Sequence, residues 1–177
     1  MKKTIYSAVI ASILATTPLI SASLPTAQTG QQRLAEQIRK ELITLPFYGV
    51  FDQMSFSLNG RQVTLKGEVT RPVLKSSAFN VVKRISGVEE VINEIEVLPL
   101  SPNDDRLRIS LYRTIFGQAS LGRYTMGAIP PVRILVKNGN VTLAGTVINE
   151  MDKNLAGLFA NQVSGVFSVT NELVVEK

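Results

Sequence analysis

The 177 residues include no histidine and no cysteine. That removes the groups that most often serve as general base, thiol nucleophile or soft-metal ligand. Carboxylates, lysines and hydroxyls remain. Lys75, Ser76 and Ser77 are neighbours, but nothing around them completes a serine–lysine site, and a solvated helix face accounts for them. Asp104 and Asp105 form the sharpest carboxylate pair. A metal would need a third ligand, and no further carboxylate lies near, so negative charge at a helix N-terminus is the simpler role. Gly60, Gly67 and Gly87 belong to separate turns and a strand, not to one phosphate-cradling loop. No catalytic site, metal site or cofactor is expected.

Binding chemistry is better represented. Arg108, Tyr112, Arg113 and Phe116 share one segment, and Leu121, Arg123, Tyr124 and Met126 share the next, together with Ile129. Arginine can lay its stem along apolar groups while its guanidinium holds phosphate, and methionine adapts to soft surfaces. Three readings fit these residues. They can be an apolar contact between domains. They can be a membrane-interface element in which Arg108, Arg113 and Arg123 meet phosphates. They can also form a groove for unfolded or partner proteins. The sequence leaves the three open.

The elements that must position these residues come from a repeat. Val63-Thr64-Leu65-Lys66-Gly67-Glu68-Val69 returns as Val141-Thr142-Leu143-Ala144-Gly145-Thr146-Val147, and without a gap Met54 to Val97 lies over Val132 to Val175. Alternating apolar positions predict strands with one buried face. Gly67 and Gly145 stand where the alternation calls for an inward side chain, which predicts a close backbone approach or a bulge. Leu74, Ala78, Val81, Val82 and Ile85 fall on Asp152, Ala156, Phe159, Ala160 and Val163, which places a helix after each motif. Gly87 is expected to end the first of those helices, and Gly165 is its counterpart in the second repeat. Asn93 and Asn171 sit in the inward row of the next strand, and are read as buried amides paired with backbone rather than as ligand-orienting groups.

Each repeat opens with a further amphipathic helix, carrying Leu34, Ile38 and Leu42 in one case and Leu107, Leu111 and Ile115 in the other. Pro46 ends the first of these. The reading is α+β, an α/β sandwich. Two tandem αββαβ domains each place a three-stranded mixed sheet on two helices. The first is expected over residues 28–98 and the second over 104–177, with a stiff proline-bearing linker at 99–103 and a polar leader at 27–32. Repeat two has more apolar surface than its own core needs. Ile109, Tyr112 and Phe116 form a second stripe on its first helix, Met151, Leu155 and Leu158 stand beside the core stripe of its second, and the connection from Gly117 to Pro131 is longer than its counterpart.

The order V-x-L-x-G-x-V, helix, S-G-V, then V-x-N-x-(L/I)-x-V resembles the BON domain, a small module of bacterial cell envelopes. The resemblance covers both repeats. It implies a non-catalytic protein of the periplasm or outer membrane, linked to phospholipid binding, osmotic stress protection and envelope integrity. An anionic phospholipid surface is the partner it favours. A chaperone-like or scaffolding role toward envelope proteins is the alternative. Many two-domain members are lipoproteins acylated on cysteine, and this sequence offers none.

The N-terminus supports export. Lys2 and Lys3 precede an apolar run from Ile5 to Ile20, and Ser21-Ala22-Ser23 offers a small-residue cleavage site, so residues 1–23 read as a cleaved signal peptide. No transmembrane span is expected after its removal. The formal charge of +5 falls to +3 when Lys2 and Lys3 are lost, too mild and too dispersed for a nucleic-acid binder.

Overall fold

The computed structural model describes residues 26–127 and 130–176, with side chains from residue 30 onward. The signal peptide read at residues 1–23 lies outside the described residues, as do Ala128 and Ile129 of the long loop. Repeat one runs α1 (Thr26–Ile43), β1 (Gln53–Asn59), β2 (Gln62–Val69), α2 (Pro72–Lys83), β3 (Glu90–Asn93) and β4 (Glu96–Val97). Repeat two runs α3 (Pro102–Phe116), a 3₁₀ turn at Gly122–Thr125, β5 (Val132–Lys137), β6 (Asn140–Val147), α4 (Glu150–Asn161), β7 (Ser168–Asn171) and β8 (Val174–Val175). Helix α1 begins at Thr26, earlier than the polar leader suggested. Helix α3 begins at Pro102, with Ser101 as N-cap, its hydroxyl accepting from the Asp104 amide at 3.2 Å.

In each repeat the central strand pairs antiparallel with the first and parallel with the last. β3 and β4 both pair with β2 in one register, Gln62 opposite Glu90 and Glu68 opposite Glu96. They occupy a single third position interrupted at Glu94–Ile95, and β7 and β8 repeat the pattern. The asparagines sit at this interruption. Asn93 donates from Nδ2 to the Lys75 carbonyl at 2.9 Å and accepts from the Ile95 amide at 3.2 Å. Asn171 does the same with Lys153 at 2.7 Å and Leu173 at 3.3 Å. Each amide thus replaces ladder bonds and ties the sheet to the preceding helix, while Ile95 and Leu173 turn into the core.

Gly67 and Gly145 have φ of +125° and +107°, a region closed to ordinary side chains. A Cβ there would also overlap the carbonyl oxygen of Gln53 or of Pro131. The motif glycine thus lets the start of the neighbouring strand cross close over the central one. Each repeat has its own core. Ile38, Leu65, Leu74 and Ile95 are among the fully buried residues of the first, and Leu111, Ile115, Ile134 and Leu143 of the second. Each such side chain contributes about 1.5–3 kcal/mol on burial.

Candidate binding surface at the seam between the repeats

The loop between α1 and β1 leaves repeat one and packs on repeat two. The Val50 carbonyl accepts from the Ile134 amide at 2.8 Å, so the open edge of β5 gains a main-chain partner. Val50 and Phe51 pack against the core of repeat two. The Phe51 ring meets Tyr112 edge-on at 6.3 Å between centroids, and Tyr112 meets Phe116 in the same manner at 5.1 Å. Arg133 donates from Nη1 to the Gly49 carbonyl at 3.1 Å and lies over the Tyr48 ring, 4.7 Å from its centroid. On the sheet face, Lys137 pairs with Glu96 at 2.6 Å, and Leu135 and Ala144 are buried.

Beside this seam lies a shallow recess of about 350 Å³, lined by Val50, Phe51, Ile109, Tyr112 and Arg113. Ile109 is 49% exposed, and Arg113 is exposed too and takes part in none of the ion pairs among the described residues. An apolar floor with a free guanidinium at its rim can hold a group that is greasy at one end and anionic at the other.

A second cluster holds the long loop down. Tyr124 is buried, its hydroxyl donating to Asp152 Oδ2 at 2.5 Å and accepting from the Ile148 amide at 2.9 Å. Arg123 pairs with the same carboxylate. Burial alone would raise the Asp152 carboxyl. The hydrogen bonds from Tyr124 and Arg123, with the Arg123 charge, outweigh it and hold the group below the ordinary carboxylate value of 3.8. Burial, then the bond to Asp152, raise the Tyr124 phenol. The Arg123 guanidinium is raised, first by its bond to Asp152.

The structure therefore distributes the eight binding residues read from sequence over three settings. Tyr112 and Arg113 lie together at the recess. Phe116, Leu121 and Tyr124 are buried in the core of repeat two. Arg108 is buried as well, bonded from Nη2 to the Val136 carbonyl at 2.6 Å and from Nη1 to Asp105 at 2.5 Å. Arg123 is tied to Asp152, and Met126 is 88% exposed beyond it. Asp104 bonds the amides of Asn138 and Gly139 at 2.9 Å each, so it holds the β5–β6 turn as well as following the N-cap.

Asp152, Arg133 and the Val50–Phe51 pair were not singled out from sequence. The signal for Asp152 was present, because the repeat alignment sets it on the core residue Leu74. A carboxylate in a core row needs partners, and the lengthened loop supplies them. Arg133 falls on Ser55, a replacement with no meaning until the packing of the repeats is known.

Two αββαβ units, each with its sheet backed by helices, are joined through the edge of β5. The BON domain family matches residues 31–99 and 124–177, more than half of the chain, and the protein belongs to that family. Outer membrane lipoprotein DolP of Haemophilus influenzae is 33% identical over 115 residues, which are 64% of this chain and 57% of DolP. The chain thus spans little more than half the length of that relative. Two solved structures of CdsD, a structural protein of the type III secretion system of Chlamydia trachomatis, align at 15% identity. They cover 80% and 81% of this chain and 96% and 92% of theirs, with TM-scores of 0.28 and 0.29. A likeness that loose carries no argument. Among the described residues no helix is long and apolar enough to cross a membrane.

Proposed function

We propose that the protein is a non-catalytic component of the cell envelope, exported to the periplasm, that rests on anionic phospholipid surfaces during envelope maintenance or stress. The observation that carries this reading is the recess at the seam, where exposed Ile109 and half-buried Tyr112 and Phe51 adjoin Arg113, which joins no ion pair among the described residues. Apolar side chains enter the headgroup boundary while arginine meets phosphate, each charge adding about 1 kcal/mol near an anionic surface. The family and the name of the DolP relative, an outer membrane lipoprotein, support an envelope setting. This sequence has no cysteine, so the contact proposed is made by surface side chains.

Co-sedimentation with vesicles tests it. The protein should pellet with phosphatidylglycerol-containing vesicles and remain in solution with phosphatidylcholine alone. Ile109→Ser with Arg113→Glu should weaken pelleting roughly tenfold or more, since charge reversal and the loss of an apolar contact act together. Both positions are exposed, so the variant should keep its melting temperature. Unchanged pelleting by a folded double variant would remove the recess from the account.

A further inference from the structure

The contact between the repeats shows what the groove between the first helix and the first strand of such a domain accepts. In repeat two the groove between α3 and β5 is covered by the turn at Gly49–Asp52, closed by the Asp52 amide on the Gly49 carbonyl at 3.1 Å, which gives the Val50 carbonyl to the Ile134 amide and the Phe51 ring to Tyr112. The repeat alignment sets Phe56 on Ile134. With Leu34 on Leu107, it sets Arg39 on Tyr112 and Ile43 on Phe116. The corresponding groove of repeat one is open. It forms a recess of about 390 Å³ whose lining includes Ala35, Arg39, Ile43, Met54 and Phe56. Among the described residues β1 is an edge strand, paired with β2 alone. The Met54 amide reaches the Tyr48 hydroxyl at 3.4 Å, outside the ladder. By the two-residue period of strand bonding, the Phe56 amide also points out of the sheet edge.

We propose that this groove binds an acidic loop of a partner protein, which docks on the β1 edge as the Gly49–Asp52 turn docks on β5. The loop would place a carbonyl on the Phe56 amide, an apolar side chain over Ile43 and Met54, and a carboxylate against Arg39. The main-chain bond and the apolar contact copy those that Gly49–Phe51 makes in repeat two. The carboxylate follows from the position that faces Phe51 in repeat two, where repeat one has the guanidinium of Arg39 in place of the Tyr112 phenol. Arg39 is exposed and joins none of the ion pairs among the described residues, and its fork matches a carboxylate. The chain's own loop reaches this groove only through Tyr48, while Val50 and Phe51 are engaged on repeat two and leave Arg39 without an anion.

The test uses the full protein, isotope-labelled, and two capped peptides of residues 48–53. Both carry Asp52→Asn, and one also carries Phe51→Glu, so that a single charge separates them. The acidic peptide should shift the amide signals of Phe56 and its β1 neighbours saturably, with the neutral peptide about fivefold weaker. Arg39→Glu should abolish or reverse that preference while the spectrum stays folded. Absence of saturable shifts on β1, shifts centred on repeat two, or a preference that survives Arg39→Glu would each overturn the proposal. No lipid enters the experiment, so its result is independent of the vesicle assay.

Discussion

The Tyr124 hydroxyl donates to Asp152 and accepts from the Ile148 amide, so one side chain serves both the buried carboxylate of α4 and the backbone leading into that helix. In repeat one the equivalent amide, Thr70, is met instead by Asp52, which accepts from it at 2.7 Å and from the Gly49 amide at 3.0 Å. The two repeats satisfy one structural demand with different chemistry. In repeat two the solution requires the longer loop.

Tyr124→Phe should therefore destabilise repeat two by about 1–3 kcal/mol, because it leaves the Ile148 amide and an oxygen of the buried Asp152 carboxylate short of a partner while preserving the ring. Chemical denaturation followed in repeat two checks this. A loss near zero would mean that water replaces the hydroxyl at both sites.

The same cluster sets an acid limit. Asp152 is held below 3.8 in the folded chain, so the stability it contributes is present above the ordinary carboxylate value. It is lost as pH falls through the depressed folded value. Asp152→Asn should flatten that part of the melting-temperature profile and lower stability at neutral pH. A variant profile parallel to the parent's below pH 3.8 would remove Asp152 from the acid response.

Gly67→Val and Gly145→Val should each cost several kcal/mol, on the order of 1–3 from overpacking and a similar amount from backbone strain. Thr64→Val, on the same strand, should change little. Thermal melts of the three variants decide it, and equal shifts would contradict the close strand crossing.

Sequence carried the fold because its signals are local. Alternation fixed the strands around Val63 and Val141, helical spacing fixed the stripe from Leu74 to Ile85, and the duplication made each reading check the other. The backbone-bonding roles of Asn93 and Asn171 were legible for the same reason, since a polar residue in an inward row finds backbone partners, although both amides are half-buried rather than buried. The binding surface was legible only in part. Tyr112 and Phe116 were recognised as surplus to a single core, but that Val50 and Phe51 cover them depends on contacts between distant segments. Tyr124 and Arg123 share one composition with a membrane element and with an internal clip. Only the position of Asp152 separates the two.

The seam itself can be loosened. Phe51→Ala with Arg133→Ala removes the ring contact to Tyr112 and the bond to the Gly49 carbonyl, leaving both cores intact. Small-angle scattering should show a larger radius of gyration with unchanged secondary structure, because small domains joined by a modest interface drift once it is weakened. An unchanged radius would assign the packing to the linker and the Lys137–Glu96 side instead.

The central claim is that the outer face of α3 at the seam meets the phospholipid surface. Paramagnetic broadening of amide signals by headgroup-labelled phosphatidylglycerol bicelles reads this contact residue by residue. The account predicts the strongest broadening at Ile109, Tyr112 and Arg113, with Phe51 following and the β1 edge of repeat one unaffected. Broadening that spares α3, or that centres on the exposed Met126 and Met151 end of repeat two, would contradict it.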